Sequence, residues 1–417
     1  MKVIKSSPPE TVEIYYLLNL LFSIHLGFIG ATYVLFFYNF GISKLITNVL
    51  SSLFMVSVFV MEIPTGAYAD AFGYRKTLIL AGLFLSIAML LFSIGNNILI
   101  FGIAQILWGV SFAFESGALD AWMVNNSCLT GPDLDKIFIK AGKINNISMI
   151  ISGLLGGYLA NINIALPWKL SLISASIYVI LVALYVNKPV RSVEPEKNIN
   201  KLDFKNGIYK ILSVIVTSKN YILKIPLLKY IIEFNMILSF CFSPVFVYWS
   251  PYLKSLSNEG FWLLGWIWVF IKISNLAGNL IIEYIPKSGN YRLNILFVAT
   301  VCVSIVLSIA SLSKKFITAL IMFLLFETLL GIIQPLQKGY INEFITDAER
   351  ATLLSLDSML SRAANFLSLI IMGLIGDLTS MQTTWLISAG ILIVNLIIIK
   401  KLNHYQKDVV EDSVSQT

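Results

Sequence analysis

The sequence predicts an all-α membrane protein with twelve transmembrane helices in two pseudo-symmetric six-helix halves. Three observations carry this. Of the 417 residues, 57% are hydrophobic and only 13% are charged, against roughly 45–50% and 25% in an average soluble domain. Apolar stretches recur along the whole chain, from Tyr15 to Ile399. A polar, Lys-rich stretch from Asn187 to Lys224 divides them into two sets. Such a composition excludes a soluble enzyme and a disordered chain. The polar start, Met1 to Glu13, followed by a long apolar run is not the pattern of a cleavable signal peptide.

A spanning helix needs roughly 20 apolar residues, because the hydrocarbon core is about 30 Å thick and each residue rises 1.5 Å. By that rule the first six spans fall near 14–39, 45–69, 77–95, 98–123, 137–160 and 167–187. The second six fall near 225–250, 259–284, 293–312, 316–343, 352–376 and 384–400. The chain is thus organised as an N-terminal half (1–187), a middle loop (188–224), a C-terminal half (225–400) and a tail (401–417).

The net charge of +7 reads as a nucleic-acid signal until the bases are located. One side of the membrane then receives Lys2, Lys5, Arg75, Lys76, Lys136, Lys140, Lys287, Arg292, Arg350, Lys400, Lys401, Lys407 and the basic middle loop. The other receives only Lys44, Lys254, Lys314 and Lys315. The excess of bases marks the cytoplasmic side, so both termini and the middle loop are expected there, in a cell membrane. The lipid bilayer, not nucleic acid, is the expected partner, and the chain is read as a monomer. Cys128, Cys241 and Cys302 show no paired or metal-ligand spacing and are read as small hydrophobes.

The halves carry an internal echo. Ser152-Gly-Leu-Leu-Gly-Gly-Tyr-Leu-Ala160 in the fifth span matches Met372-Gly-Leu-Ile-Gly-Asp-Leu-Thr-Ser380 in the eleventh. A weaker match pairs Gly66…Gly73-Tyr74-Arg75 with Gly278…Gly289-Asn290-Tyr291-Arg292. Glycines recur in membrane helices for packing alone, but two matches in equivalent spans favour duplication.

Between spans two and three stands Glu62-Ile-Pro-Thr-Gly66-Ala-Tyr-Ala-Asp70-Ala-Phe-Gly73-Tyr74-Arg75-Lys76. Gly66 would let two helices approach closely, and Gly73 would permit a tight turn. Asp70 could accept from a helix N-terminus, and Arg75 could pair with a carboxylate on a neighbouring helix. The loop resembles the signature of the major facilitator superfamily, Gly-x-x-x-Asp-basic-x-Gly-Arg-basic. In character the chain is similar to the bacterial twelve-span drug and metabolite efflux members. That resemblance implies a gate at Gly66, Asp70, Gly73 and Arg75, with Asp120 as the partner of Arg75. It also implies a cavity lined by spans one, four, seven and ten. The chain departs from the pattern at Ala71 and Tyr74. Gln105 stands where proton-coupled members often carry an Arg in span four, and the span-five Gly pair, Gly156 and Gly157, lacks the usual Pro.

Charges within the spans supply the candidate site residues, since each costs about 2.5–3.5 kcal/mol at mid-bilayer on insertion scales. His25 and Glu327 lie about 17 Å into their spans and Lys272 about 20 Å, near the midplane. Glu233 lies about 12 Å into span seven. Glu115 and Asp120 are five residues apart, about 140° around a helix, so they face different surroundings; the resemblance implies Asp120 in the gate cluster and Glu115 on the cavity side. Glu327, Gly331, Gln334 and Lys338 share one helical face. Glu327 is the first candidate for a protonatable or cation-binding group, or else half of a static ion pair with Lys272. His25 is open to the same choice between packing residue and site. Trp266 is the aromatic best placed to face a substrate.

Three functions are compatible with this reading. The first is secondary efflux of a small amphipathic or cationic toxic compound, such as an antibiotic, driven by proton entry. The second is proton-coupled uptake of a nutrient on the same fold. The third is a membrane sensor or assembly protein that moves no solute. No enzyme is expected, because neither a His-Glu-x-x-His pair nor a nucleotide-binding loop is present. No metal or cofactor is called for; a proton gradient would supply the energy.

Overall fold

A computed structural model of the chain describes residues 8–127, 129, 131–186, 226–284, 289–343 and 350–415. The expected middle loop (188–224) and Cys128 lie outside the described residues. Fourteen helices are described. They are α1 (Pro8–Gly30), α2 (Tyr33–Asn39), α3 (Lys44–Phe72), α4 (Tyr74–Ile94), α5 (Ile98–Glu115), α6 (Ala118–Ser127), α7 (Pro132–Ile162) and α8 (Leu166–Tyr185). After the middle stretch come α9 (Pro226–Ser255), α10 (Trp262–Glu283), α11 (Gly289–Leu312), α12 (Phe316–Glu343), α13 (Arg350–Leu378) and α14 (Met381–Ser415). Among the described residues, eleven stretches are long and apolar enough to cross a membrane. The fifth expected span is not among them. It corresponds to α7, whose first half carries Lys136, Lys140, Lys143, Asn145 and Asn146, although its 31 residues reach about 46 Å.

Two expected spans are broken. The first is split into α1 and α2 by a turn at Ala31–Thr32. The fourth is split into α5 and α6 at Ser116–Gly117, where Gly117 takes φ 76°, a left-handed conformation that glycine adopts without steric cost. The 140° separation expected for Glu115 and Asp120 therefore does not apply, because no continuous helix joins them. The expected tail is helical as well: α14 continues from the twelfth span to Ser415.

The membrane setting is written on α8. Ile173, Ile177, Ile180 and Leu184 are all exposed, in a stripe of helical period that matches a lipid-facing surface. The opposite face buries Ser171, Ser174, Ala175, Tyr178 and Val182. Its serines hold neighbouring backbone, Ser174 Oγ donating to the Leu21 carbonyl at 2.7 Å and Ser171 Oγ to that of His25 at 3.3 Å. Small and polar residues inside with large apolar residues outside is the packing order expected in lipid.

The chain forms two compact units. Unit 1 holds α1, α2, α3 from Leu50 onward, α4 to α8, and residues 259–269 at the start of α10. Unit 2 holds residues 43–49 at the start of α3, α9, α10 from Phe270 onward, and α11 to α14. Each unit thus includes one helix start from the other half of the sequence. In unit 1, α1 packs on α7 and α8, and α4 packs on α5 and α8. In unit 2, α9 packs on α13 and α14, and α11 packs on α12 and α14. Moving each span six places along the chain turns the first set of pairings into the second.

Candidate functional site

Unit 2 holds an acid and a base on two tightly packed helices. A Cβ on Gly278 of α10 would lie 2.0 Å from the Thr328 carbonyl oxygen and 2.9 Å from Gly331 Cα on α12. A Cβ on Gly331 would lie 2.2 Å from the Asn275 carbonyl oxygen. Only glycines let these backbones meet. Glu327 sits one turn before Gly331 on α12 and is 4% exposed, and the charge of Lys272 on α10 acts on it directly. Asn275 and Asn279 continue the polar edge of α10, Asn279 Nδ2 donating to the Asn275 carbonyl at 3.1 Å. Gln334 is exposed, and the side chain of Lys338 lies outside the described residues. Glu233 pairs with Lys229 of its own helix at 3.8 Å, both side chains substantially exposed.

In unit 1, His25 and Gln105 are both buried and hydrogen-bonded. Trp108 Nε1 donates to His25 Nε2 at 3.2 Å. An indole N–H only donates, so Nε2 accepts and the imidazole proton resides on Nδ1. His25 is fully buried, edge-on to Phe22 with ring centroids 5.0 Å apart. Gln105 is also fully buried; its Nε2 donates to the Tyr33 hydroxyl, which pairs with Ser51 Oγ at 2.9 Å. Tyr33 opens α2, so the break in the first span sets this network.

The signature loop is only partly engaged. Gly73 takes φ 82° between α3 and α4, the tight turn the sequence predicts. A Cβ on Gly66 would meet nothing within 4 Å, so the expected close helix approach at Gly66 is not made in this structure. Asp70 is exposed. Arg75 Nη2 donates to the Ala183 carbonyl in the last turn of α8, where a cation also complements the helix dipole. Asp120 accepts from the Tyr15 hydroxyl at 2.7 Å. No Arg75–Asp120 ion pair forms among the described residues, in contrast to the expected gate cluster. Lys76 lies over the Phe72 ring at 5.6 Å, the contact of an interfacial anchor.

The two copies of the glycine repeat sit at equivalent crossings. In unit 1, a Cβ on Gly153 would lie 2.2 Å from Trp268 Cδ1, on Gly156 2.0 Å from the Phe28 carbonyl oxygen, and on Gly157 2.7 Å from Gly265 Cα. In unit 2, a Cβ on Gly373 would lie 3.1 Å from Leu45 Cα and one on Gly376 3.1 Å from the Tyr248 hydroxyl. α7 thus meets α10 and α1, and α13 meets their counterparts α3 and α9. The weaker match does not carry over, since Gly278 is tightly packed and Gly66 is open.

Three residues take contacts that the sequence reading does not specify. Trp268 fills the notch between Gly30 and Gly153 and donates to the Met149 carbonyl at 3.0 Å. Trp266, the expected candidate, is 39% exposed and donates to the Tyr158 hydroxyl at 3.1 Å. Two positions apart on a helix point about 200° apart, so the two tryptophans serve different faces. Asp357 accepts from Asn235 Nδ2 at 2.8 Å, while Asn235 Oδ1 accepts from Gln337 Nε2. Asp377 is the third, accepting from the Lys44 amide at 2.9 Å and the Leu45 amide at 3.0 Å; its Asp-for-Gly place in the repeat, opposite Gly157, was a visible signal.

Helices paired alike in two units, broken spans, and an acid and a base within apolar helices define a polytopic transporter of the repeat-built class. The sequence profile of the Major Facilitator Superfamily matches residues 15–361. The chain belongs to that superfamily. It is 23% identical over 394 residues to the uncharacterized MFS-type transporter YxaM of Bacillus subtilis strain 168, covering 93% of this chain and 94% of that one. It is 28% identical over 170 residues to Multidrug resistance protein 2 of the same organism, covering 39% of this chain and 42% of that one. Its fold is similar to that of the nucleoside transporter NupG, with a TM-score of 0.74 at 14% identity over 94% of this chain and 99% of the other.

Proposed function

We propose that this transporter exports a small amphipathic or cationic organic compound in exchange for protons, by alternating access. Both termini would lie on the cytoplasmic side of the cell membrane. The observation that carries the reading is Glu327, a carboxylate buried within an apolar helix beside Lys272. A carboxyl group there can take up a proton or a cationic solute, with Lys272 balancing its charge when both are empty. The partial similarity to Multidrug resistance protein 2 supports export. The bases of the sequence support the orientation.

A second reading is proton-coupled uptake of a metabolite. It draws on the neutral network of Tyr33 and Gln105, in the broken first and fourth spans, with Ser51 of α3, which offers a polar solute uncharged donors and acceptors. The fold neighbour NupG, a nucleoside transporter, fits that reading as well.

The test is growth of a pump-deficient bacterium expressing the chain, across a panel of antibiotics and lipophilic cations. Glu327→Gln and Lys272→Met run beside the wild type. Export predicts protection against at least one compound, lost in Glu327→Gln. If the wild type protects against nothing, or Glu327→Gln protects as well as the wild type, proton-driven export through Glu327 is wrong. Growth on limiting nucleosides or other metabolites then tests the second reading.

A further inference from the structure

We propose that Lys400 and Lys401 of α14 hold the phosphate of an anionic phospholipid against the lipid-facing side of unit 2. α14 presents Ile393, Val394 and Ile397 outward, 55%, 46% and 55% exposed, while Leu392, Asn395, Ile399 and Leu402 are buried on its opposite side. At 100° per residue, Lys400 and Lys401 fall on either side of the line through Ile393 and Ile397, and both are exposed. The rise from Met381, where α14 begins, to Lys400 is about 29 Å, close to the thickness of the hydrocarbon core. The stripe that meets lipid tails therefore ends in two positive charges at the level of the headgroups.

The helices on either side hold the two bases in place. α14 packs on both α9 and α11. Lys400 Nζ lies over the Phe297 ring of α11 at 5.9 Å, and Lys401 Nζ over the Tyr230 ring of α9 at 5.4 Å. A ring face attracts an ammonium group without neutralising it, so both charges stay available to an anion. Among the described residues, no carboxylate lies within ion-pairing distance of either lysine. Glu233, about one turn from Tyr230 on α9, is engaged by Lys229. Two ammonium groups bring six N–H donors to the site, and the ligand that matches them is an anionic acceptor such as a phosphodiester.

The repeat shows that the fold does not require charge at this place. Trp168 near the start of α8 and Trp385 near the start of α14 are both fully buried. Counting on from them, Tyr178 matches Asn395 and Val182 matches Ile399 on the buried side, and Ile177 and Ile180 match Val394 and Ile397 on the exposed side. The same count sets Ala183 against Lys400 and Leu184 against Lys401. Leu184 is 66% exposed, so the stripe on α8 stays apolar to the end of the helix at Tyr185. Nor do the lysines cap a helix end, as Arg75 does at the Ala183 carbonyl. α14 continues as a helix to Ser415, so its carbonyls at this level are engaged within the helix.

The inference needs only that α14 spans a bilayer, and it involves neither the solute nor the direction of transport, so its failure leaves the export reading untouched. The test is native mass spectrometry of the full-length protein in a neutral detergent, titrated with dioleoylphosphatidylglycerol to give the dissociation constant of the first bound lipid. Dioleoylphosphatidylcholine and free glycerol phosphate are titrated beside it. Phosphatidylglycerol is expected to bind more tightly than either. Replacing both lysines, Lys400→Gln with Lys401→Gln, should weaken it about 25-fold, about fivefold for each charge at an anionic lipid surface. Each single Gln variant should lose about fivefold and provides the readout if the double variant does not fold. Lys400→Arg with Lys401→Arg keeps both charges and should retain the binding. Lys314→Gln with Lys315→Gln, which removes two exposed lysines ahead of α12, should leave the constant unchanged. An unchanged constant in the Lys400 and Lys401 Gln variants would overturn the proposal. An equal loss in the Lys314 and Lys315 pair would overturn it too, by making the effect one of net charge. Equal binding of phosphatidylcholine or of free glycerol phosphate would overturn it by removing the anionic lipid as the ligand.

Discussion

Gly278→Ala is the sharpest single test of how the acid–base site is built. The new methyl would stand 2.0 Å from the Thr328 carbonyl oxygen, 2.9 Å from Gly331 Cα and 3.0 Å from Gly331 C. All three are backbone atoms, so no side chain can rotate away. Restoring ordinary contact requires α10 and α12 to part by about 1.4 Å, and overpacking of this kind costs about 1–3 kcal/mol. The change lies about one turn from Glu327 and, on α10, six residues from Lys272, so it moves the two charged groups apart. Gly390→Ala is the control: its Cβ would meet nothing within 4 Å, and Ala is a better helix former than Gly by about 1 kcal/mol. The assay is thermal unfolding of purified protein, followed by size-exclusion chromatography, together with the growth panel for each variant. Gly278→Ala should unfold at lower temperature and lose protection, while Gly390→Ala should match or exceed the wild type. Equal stability and protection for the two variants would refute the claim that backbone contact at Gly278 sets the site.

Further outcomes follow from single contacts. Gly73→Ala forces a side chain into φ 82°, at a cost of about 1–2 kcal/mol; the Cβ meets nothing, so the loss should appear as reduced thermal stability, and an unchanged melting curve would contradict it. His25→Ala leaves the buried Trp108 indole N–H without its acceptor, costing about 1–3 kcal/mol; His25→Gln, which can still accept, should recover part of that loss in the same measurement. Trp268→Ala empties the notch between Gly30 and Gly153 and should destabilise by about 3–5 kcal/mol; Trp266→Ala, at a half-exposed position, should cost far less, and a reversed order would refute the assignment of the packed ring to Trp268.

The arrangement of spans was legible because lipid imposes long apolar runs, and the chain has little freedom to disguise them. The echo between spans five and eleven was legible for a related reason: both copies must bring backbones together, and only small residues allow it. What failed to show was where helices break and which polar group meets which. Glu115 and Asp120 invited an angular argument that the left-handed Gly117 cancels. Gly66 has the composition of a packing glycine, yet its surroundings are open, because contact depends on conformation as well as on sequence. Arg75 has several partners within reach of a long side chain, and the α8 carbonyl takes it here. The contacts of Asp357 and Asp377 were not legible because these residues lie toward the ends of spans, where charge is cheap and therefore uninformative. Only the fold reveals that one accepts from a buried amide and the other from two helix amides.

The polarity of α7 has a consequence for how the chain is made. Three lysines and two adjacent asparagines in its first half would each weigh against partition into lipid, by about 2.5–3.5 kcal/mol for a Lys at mid-helix. The segment as an isolated passenger is therefore expected to be poorly retained by a translocation channel, which glycosylation mapping of α7 alone and of α7 joined to α8 would reveal. Among its partners in the folded unit are α1, made first, and α8, made next. Integration of the fifth span is then a cooperative event in biosynthesis, in which helices already in the bilayer and the one just emerging supply the surroundings that its own sequence lacks.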